Sequence, residues 1–235
     1  MSKPESAAFE AEIVDIRGMR TQIITLAVTD GYRFRAGQYL EIIAGDDTRI
    51  PLSIASAPGR LPELELHYRS TPGIPAAAAM DVLLEGSHLY LSPAHGDVRA
   101  GAPQQDVLIV AGGTGAAQAF SCAEYRAATG ATGATTIVWC ADAPDDLYET
   151  SRLAGYANVR LHEVIDDRRT PANEGLMWLR QHGSRFAAHG APDDGAYVLL
   201  AGAPAFVYAT LDVLLEQGVH QAQCHADAFS YAPRH

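Results

Sequence analysis

The sequence predicts two domains in series, an antiparallel β-barrel and then an α/β domain built on a doubly wound parallel sheet. Three observations carry that prediction. The first hundred residues read as short strands with turn residues between them, the spacing of a small barrel or sandwich. From Val107 onward, buried-looking strands alternate with helix-length segments, the grammar of a parallel sheet covered on both faces. Between the two lies DVRAGAPQQ, residues 97–105, a polar stretch with Gly and Pro suited to a linker. The boundary falls near residue 103, giving domains at 1–103 and 104–235.

In the first domain, strands are expected at residues 11–17, 23–29, 38–43, 52–56 and 64–68. Gly31, Gly37, Gly45, Gly59 and Gly86 lie between or beside these runs, where tight turns cost glycine little. One helix interrupts the series at residues 75–85, with Pro75 at its start and Gly86 past its end, and residues 88–92 supply a last strand. In the second domain the strands are VLIVA (107–111), TTIVW (135–139), NVRLHEV (158–164) and YVLLA (197–201). No internal repeat or low-complexity segment breaks the pattern.

Composition narrows the function classes. Of 235 residues, 48% are apolar and 19% charged, the mix of a packed protein long enough for two ordinary domains. Acidic residues outnumber basic ones 28 to 17 and the only lysine is Lys3. No basic stripe exists to neutralise a run of phosphates, so nucleic acid is not an expected partner. No apolar run approaches the roughly 20 residues that cross a bilayer, and the opening MSKPESAAFEAE has no stretch of signal-peptide length. The expectation is a cytoplasmic protein with no membrane partner. Cys122, Cys140 and Cys224 fit neither a disulfide framework nor an iron-sulfur ligand pattern, and His220 and His225 lack the helical spacing of a zinc site, so no metal is expected.

The sharpest local feature is VLIVAGGTGAAQAF, an apolar strand that ends in Gly112, Gly113, Thr114 and Gly115 before a helix beginning near Ala116. Backbone N–H groups at such a helix start attract a pyrophosphate, and glycines let it approach the main chain. The pattern is neither G-x-G-x-x-G nor a Walker loop, and a plain tight strand-to-helix turn is the competing reading. The second feature is RIPLSIASAP, residues 49–58, on a barrel strand.

Together these features resemble the ferredoxin-NADP reductase superfamily, and within it most closely the bacterial NAD(P)H:flavin reductases that lack an iron-sulfur domain. The resemblance runs through FRAGQYL (34–40), PLSIASAP (51–58), ELELH (63–67), HGD (95–97), AGGTG (111–115), VLLAGAP (198–204) and DAF (227–229), in the family's order. It implies a flavin-binding barrel, a nicotinamide-binding α/β domain and hydride transfer from NADH or NADPH to a flavin. Ser53 would sit at flavin N5 as the catalytic hydroxyl, with Pro51, Leu52, Ile54 and Ala55 framing the ring and His67 and Tyr68 covering another edge. Thr114 would lie near the nicotinamide and Gly112, Gly113 and Gly115 near its pyrophosphate, with Gly202 and Ala203 of VLLAGAP at the same nucleotide. Phe229 would end near the flavin face where nicotinamide stacks, with Asp227 close by. Two rings held in contact need little acid or base help, so proximity and orientation carry most of the catalysis. Without the resemblance, Ser53 reads as a strand serine bonded to a neighbouring carbonyl, His67 as a half-buried strand residue and Phe229 as core.

The sequence departs from the family at two points. Family members place an arginine three residues before the flavin serine and an aromatic residue just ahead of it, where this chain has Ile50 and Leu52. Arg49 lies one step earlier, and a one-residue shift on a regular strand turns a side chain to the other face, so Arg49 replaces the missing contact only through a bulge or a bend at Pro51. A weakly held, dissociable FMN or riboflavin is therefore expected ahead of FAD, for whose adenine half no segment is evident. After the second parallel strand, Asp142, Asp145 and Asp146 stand where a 2′-phosphate would need arginine, which favours NADH over NADPH. A flavin-dependent oxygenase would receive the reduced flavin. The alternative is a reductase subunit that passes electrons through tightly bound flavin to an oxygenase or iron-sulfur partner. A third reading is a binding module that has lost turnover with its arginine.

Overall fold

The computed structural model describes residues 9–45, 48–156, 158–166, 173–191 and 194–234; Lys3 and the start of the chain lie outside them. Six strands form the first sheet: β1 (Phe9–Arg17), β2 (Gln22–Val28), β3 (Tyr39–Ala44), β4 (Thr48–Ser53), β5 (Glu63–Tyr68) and β6 (His88–Leu91). Their order is β4-β3-β6-β1-β2-β5, with antiparallel pairing throughout. One antiparallel bridge, Ile54 to Leu66, joins the two outer strands and curls the sheet into a barrel. The seam closes immediately after Ser53. Leu26, Leu40, Ile42, Leu64, Leu66 and Leu91 fill the interior, and Met80 and Leu83 of helix α1 (Pro75–Leu83) plug one end.

The RIPLS segment enters the sheet four residues earlier than expected, at Thr48, and leaves it at Ser53, so that residues 54–56 are not strand. The Ile54 N–H is given to Gln38 O and the Ala55 N–H to Glu65 O, and these bonds turn the chain across the seam. Pro51 is tolerated because β4 is an outer strand, where a missing N–H costs no ladder bond.

The second sheet contains β7 (Val107–Gly112), β8 (Thr135–Ala141), β9 (Val159–Ile165), β10 (Tyr197–Ala201) and β11 (Cys224–His225), the last a short strand unmarked in the sequence pattern. All pairings are parallel, in the order β11-β10-β7-β8-β9. After β9 the chain crosses back to the other side of β7, which makes the C-terminal ends of β7 and β10 the point where ligands lodge in folds of this kind. Helices α4 (Asn173–His182) and α5 (Pro204–Glu216) cover one face, and α2 (Ala116–Ala128) and α3 (Thr150–Ala154) the other. The core under α2 is shared with the barrel, because Ala36 and Ala55 pack into the same cluster as Ala116, Ala119 and Phe120.

Arg126 on α2 is 2% exposed and divides its guanidinium between the connection that joins the sheets and the turn that leads into β8. Its Nη1 donates to Ala100 O at 3.0 Å and Ala102 O at 2.9 Å, its Nη2 to Gln105 O at 2.8 Å and Gly133 O at 3.0 Å, and its Nε to Thr135 Oγ1 at 2.9 Å.

Candidate active site

A cavity of about 520 Å³ lies between the barrel and the switch point of the parallel sheet, a size within the roughly 300–1,000 Å³ typical of small-molecule sites. The barrel wall comes from β4, which is regular from Thr48 to Ser53, so Arg49, Pro51 and Ser53 project to the cavity at alternate positions while Ile50 is buried in the barrel core. This corrects the expectation for Arg49. It stands four residues from Ser53, an even spacing, and shares its face with no bulge required. Its Nη1 donates to Glu41 Oε2 on β3 at 3.0 Å. The Ser53 hydroxyl makes no hydrogen bond among the described residues, which removes the reading of a serine tied to a neighbouring carbonyl.

The opposite wall is Thr114 and Gly115 after β7, with Ala201 and Gly202 after β10. A Cβ on Gly115 would lie 2.5 Å from Ala201 O, so only glycine lets the start of α2 approach the end of β10 this closely. The Thr114 hydroxyl is without a partner among the described residues.

Asp227, Ala228 and Tyr231, at and within the short helix α6 (Ala228–Tyr231), close one end of the cavity. Asp227 Oδ2 accepts from Gln118 Nε2 at 2.8 Å, and the same amide nitrogen donates to Gly37 O of the barrel at 2.7 Å. A Cβ on Gly96 would meet Asp227 Oδ1 at 2.6 Å, so the carboxylate lies flat against the Gly96 main chain. Burial pushes the Asp227 carboxyl up to about 6, Asp97 adds to the rise, and Gln118 and Arg99 oppose it.

His67 lines the cavity from β5, fully buried. Its Nε2 is 2.9 Å from Glu65 Oε1 and its Nδ1 2.9 Å from the Tyr148 hydroxyl. Burial would raise the Glu65 carboxyl, but hydrogen bonds from His67 and Arg152 and the Arg152 charge hold it well below the usual range. Burial and Arg152 push the His67 imidazolium down, against the pull of Glu65, while burial pushes the Tyr148 phenol up. The assignment that satisfies all three is a neutral imidazole with its proton on Nε2, donating to Glu65 and accepting from Tyr148.

The structure thus gathers Arg49, Pro51, Leu52, Ser53, His67, Thr114, Gly115, Gly202 and Asp227 around one cavity. Other residues singled out in the sequence do not line it. Tyr68 points into the barrel core, because strand alternation sends it opposite to His67, and its hydroxyl bonds Ala77 O and Asp81 Oδ1. Ile54 and Ala55 are buried in the two cores with their N–H groups spent on the seam. Phe229 packs into the core of the second domain against Tyr208, and Tyr231, two residues on, lines the cavity in its place. Gly112 is packed beneath the Phe206 ring, Gly113 O accepts from Trp139 Nε1, Ala203 is exposed at the start of α5, and Asp142 is exposed past the end of β8. Of the acidic loop, Asp146 is buried against Arg20 and Arg69 of the barrel and is spent there. Sequence reasoning missed Gln118, Tyr39 and Tyr231 among the polar cavity residues, with Glu41, and the apolar lining of Leu200, Ala201, Val207 and Ala228. Gln118 was legible only as the third residue of a helix next to the glycine turn.

No protein-family model matches the chain. Among solved structures, a ferredoxin-NADP+ reductase from Neisseria gonorrhoeae with bound FAD and NADP superposes with a TM-score of 0.72 at 18% identity, over 94% of this chain and 98% of that one. A cytochrome P450 reductase from Amycolatopsis gives a TM-score of 0.78 at 21% identity, over 93% of this chain and 68% of that one. The chain has the ferredoxin-NADP reductase fold. Among curated proteins with similar sequence, an NAD(P)H-flavin reductase from Vibrio harveyi is 31% identical over 145 residues, which are 57% of this chain and 61% of that protein. The ferredoxin–NAD(P)(+) reductase component of a naphthalene 1,2-dioxygenase system from Pseudomonas putida is 28% identical over 94% of this chain and 67% of its own length. The chain spans about three fifths of the length of the first of these relatives. The reductase fold accounts for a cavity assembled by a barrel seam on one side and a parallel-sheet switch point on the other. Among the described residues, no helix is long and apolar enough to cross a membrane.

Proposed function

We propose that the chain is an NAD(P)H:flavin oxidoreductase that moves hydride from NADH to a dissociable FMN or riboflavin, with the barrel at 1–103 holding the flavin and residues 104–235 the nicotinamide nucleotide. The observation that carries this reading is the Ser53 hydroxyl on the barrel wall and the Thr114 hydroxyl on the wall across the cavity, both without a partner among the described residues. A site this size, with two free hydroxyls and a glycine-lined approach, fits a planar ring on each wall. When bound, the flavin supplies the hydride acceptor and the nicotinamide the donor.

The chain's own residues orient these groups and exclude water. Ser53 donates a hydrogen bond to an acceptor nitrogen and adds polarisation without charge. Thr114 offers its hydroxyl to the carboxamide side, and Gly115 leaves main-chain room for a pyrophosphate. Asp227, with a carboxyl near 6, holds or releases a proton at the end of the cavity near neutral pH. Arg49, at the rim and balanced by Glu41, reaches a flavin phosphate only by sharing its charge, which favours loose binding. Asp142 and Asp145, exposed beyond β8, supply the preference for NADH over NADPH.

Similarity to the reductase component of a dioxygenase system over nearly the whole chain supports a second reading, in which the flavin stays bound and electrons pass on to an oxygenase or iron-sulfur partner. One assay separates the two. Dialysed protein is mixed with NADH, with and without added riboflavin, FMN or FAD and no partner. Saturable dependence on added flavin supports the dissociable acceptor, whereas a yellow protein that turns over only with a protein acceptor supports the subunit. No NADH oxidation under either condition refutes both.

A further inference from the structure

Beside the cavity, the barrel and the second domain are joined by a partly buried ion cluster centred on Glu65. The Glu65 side chain is 1% exposed and takes Arg152 Nη2 at 2.6 Å and Nη1 at 3.1 Å, Arg17 Nη2 at 3.2 Å and His67 Nε2 at 2.9 Å. Arg17 belongs to β1 and Arg152 to α3, so one carboxylate ties two barrel strands to a helix of the other domain. Glu149 closes the ring, accepting from Arg17 Nε at 3.0 Å and Arg152 Nη1 at 2.7 Å. Two carboxylates and two guanidinium groups alternate, and at the edges Arg60 Nη1 stands 3.7 Å from Glu65 Oε2 and Asp15 Oδ2 3.6 Å from Arg17 Nη1. Three residues before Glu149, the buried Asp146 makes charge contacts with Arg20 at 3.1 Å and Arg69 at 2.9 Å, both from the barrel. Between these points Tyr148 meets His67, which itself lines the cavity.

Two features say that this arrangement serves geometry more than stability. Glu149 has φ +47°, the only positive φ outside glycine among the described residues, and such a residue persists where its surroundings over-determine it. Buried ion clusters gain little over apolar packing of the same volume, and their best-attested use is to fix register. The rest of the interface runs along α2, where Ala36 and Ala55 pack against Ala116 and Ala119 and where Gln118 and Ser121 donate to Gly37 O and Ser56 O of the barrel. The ion contacts of residues 146–152 add directional contacts along a second line, away from α2.

We propose that the segment 146–152 is a strap whose ion contacts set the position of the second domain on the barrel, and with it the separation of the cavity's walls. Glu65, Glu149 and Arg152 are then positioning residues for hydride transfer, a role that rests on the flavin-reduction reading. Transfer between two rings is steep in distance, since a misplacement of about 1 Å costs on the order of a hundredfold in rate.

The test uses two readouts. Met19 on the barrel and Met177 on α4 are exposed and the three native cysteines are buried, so nitroxides at Met19→Cys and Met177→Cys report the distance between domains. The strap predicts one narrow distance distribution that broadens in Arg152→Met and Glu65→Gln and narrows again in Arg152→Lys. In unlabelled protein, Arg152→Met should lower kcat by about tenfold or more, raise the deuterium isotope effect of labelled NADH and leave each KM within about threefold. Unchanged distances overturn the strap, and broadened distances with unchanged kcat overturn its positioning role. If Arg152→Met does not fold, Glu149→Gln at the rim of the cluster is measured instead and judged by the same outcomes. If the wild type does not reduce flavin, the functional reading has failed while the distances still decide the strap.

Discussion

Asp227 gives the sharpest quantitative expectation. Its carboxyl is raised from an ordinary 3.8 to about 6, first by burial and then by Asp97, against the hydrogen bond from Gln118 and the charge of Arg99. A difference of about two pH units between folded and unfolded chain corresponds to about 3 kcal/mol. The folded carboxyl holds its proton more tightly than the unfolded one. Its contribution to stability is therefore fully present below about pH 4 and is lost as pH rises through about 6. Above that, the fold carries a carboxylate that water would solvate better. Asp227→Asn keeps an oxygen for Gln118 and never ionises. The unfolding free energy of the variant relative to wild type should thus grow by about 3 kcal/mol between about pH 4 and pH 8, with the rise centred between the two pKa values. Urea denaturation of both proteins across that range measures it. The wild-type kcat/KM profile should bend near pH 6, and in the same variant that bend should be absent. A stability difference that is flat with pH, or one that grows toward acid, would refute the reasoning.

Ser53→Ala should lower kcat by about ten- to a hundredfold, the value of one hydrogen bond strengthened in the transition state, with little change in KM for NADH; steady-state kinetics decide it. Arg49→Gln should raise KM for FMN by about tenfold and leave that for riboflavin unchanged, because only FMN carries a phosphate for the guanidinium; equal effects on both flavins would remove Arg49 from phosphate recognition. Arg126→Lys replaces five donors in a fixed fork by three and leaves at least two buried acceptors unmatched. It should cost about 2–6 kcal/mol in chemical denaturation, at about 1–3 kcal/mol per orphaned group.

Where sequence and structure agree, the reason is periodicity or local sterics. Three of the four runs from Val107 to Ala201 are buried on both sides inside the parallel sheet where their hydrophobicity puts them, while the edge strand β9 buries only Val164, and Pro75 opens α1 because its ring already has the helical φ. GGTG is readable as a glycine turn after a strand, and the even spacing in RIPLS places Arg49 and Ser53 on one face. Tyr68 and Phe229 failed as cavity residues because motif position says nothing about which way an alternating strand or a short helix turns; Leu66 and Tyr208 decide that by packing. The two-residue strand β11 is too short to carry a period.

By itself, the sequence determined most of the segments that form strands and helices, β4 shifted by four residues and the short β11 excepted, because burial patterns and turn residues act within a few positions. Only the tertiary structure decided which of those segments face one another. The amide of Gln118 shared by Gly37 and Asp227, and the use of Asp146 and Glu65 as interdomain ion partners, join residues far apart in the chain. A charged residue reads as solvated surface until a partner more than sixty positions away is placed against it, and that placement is a property of the packed fold.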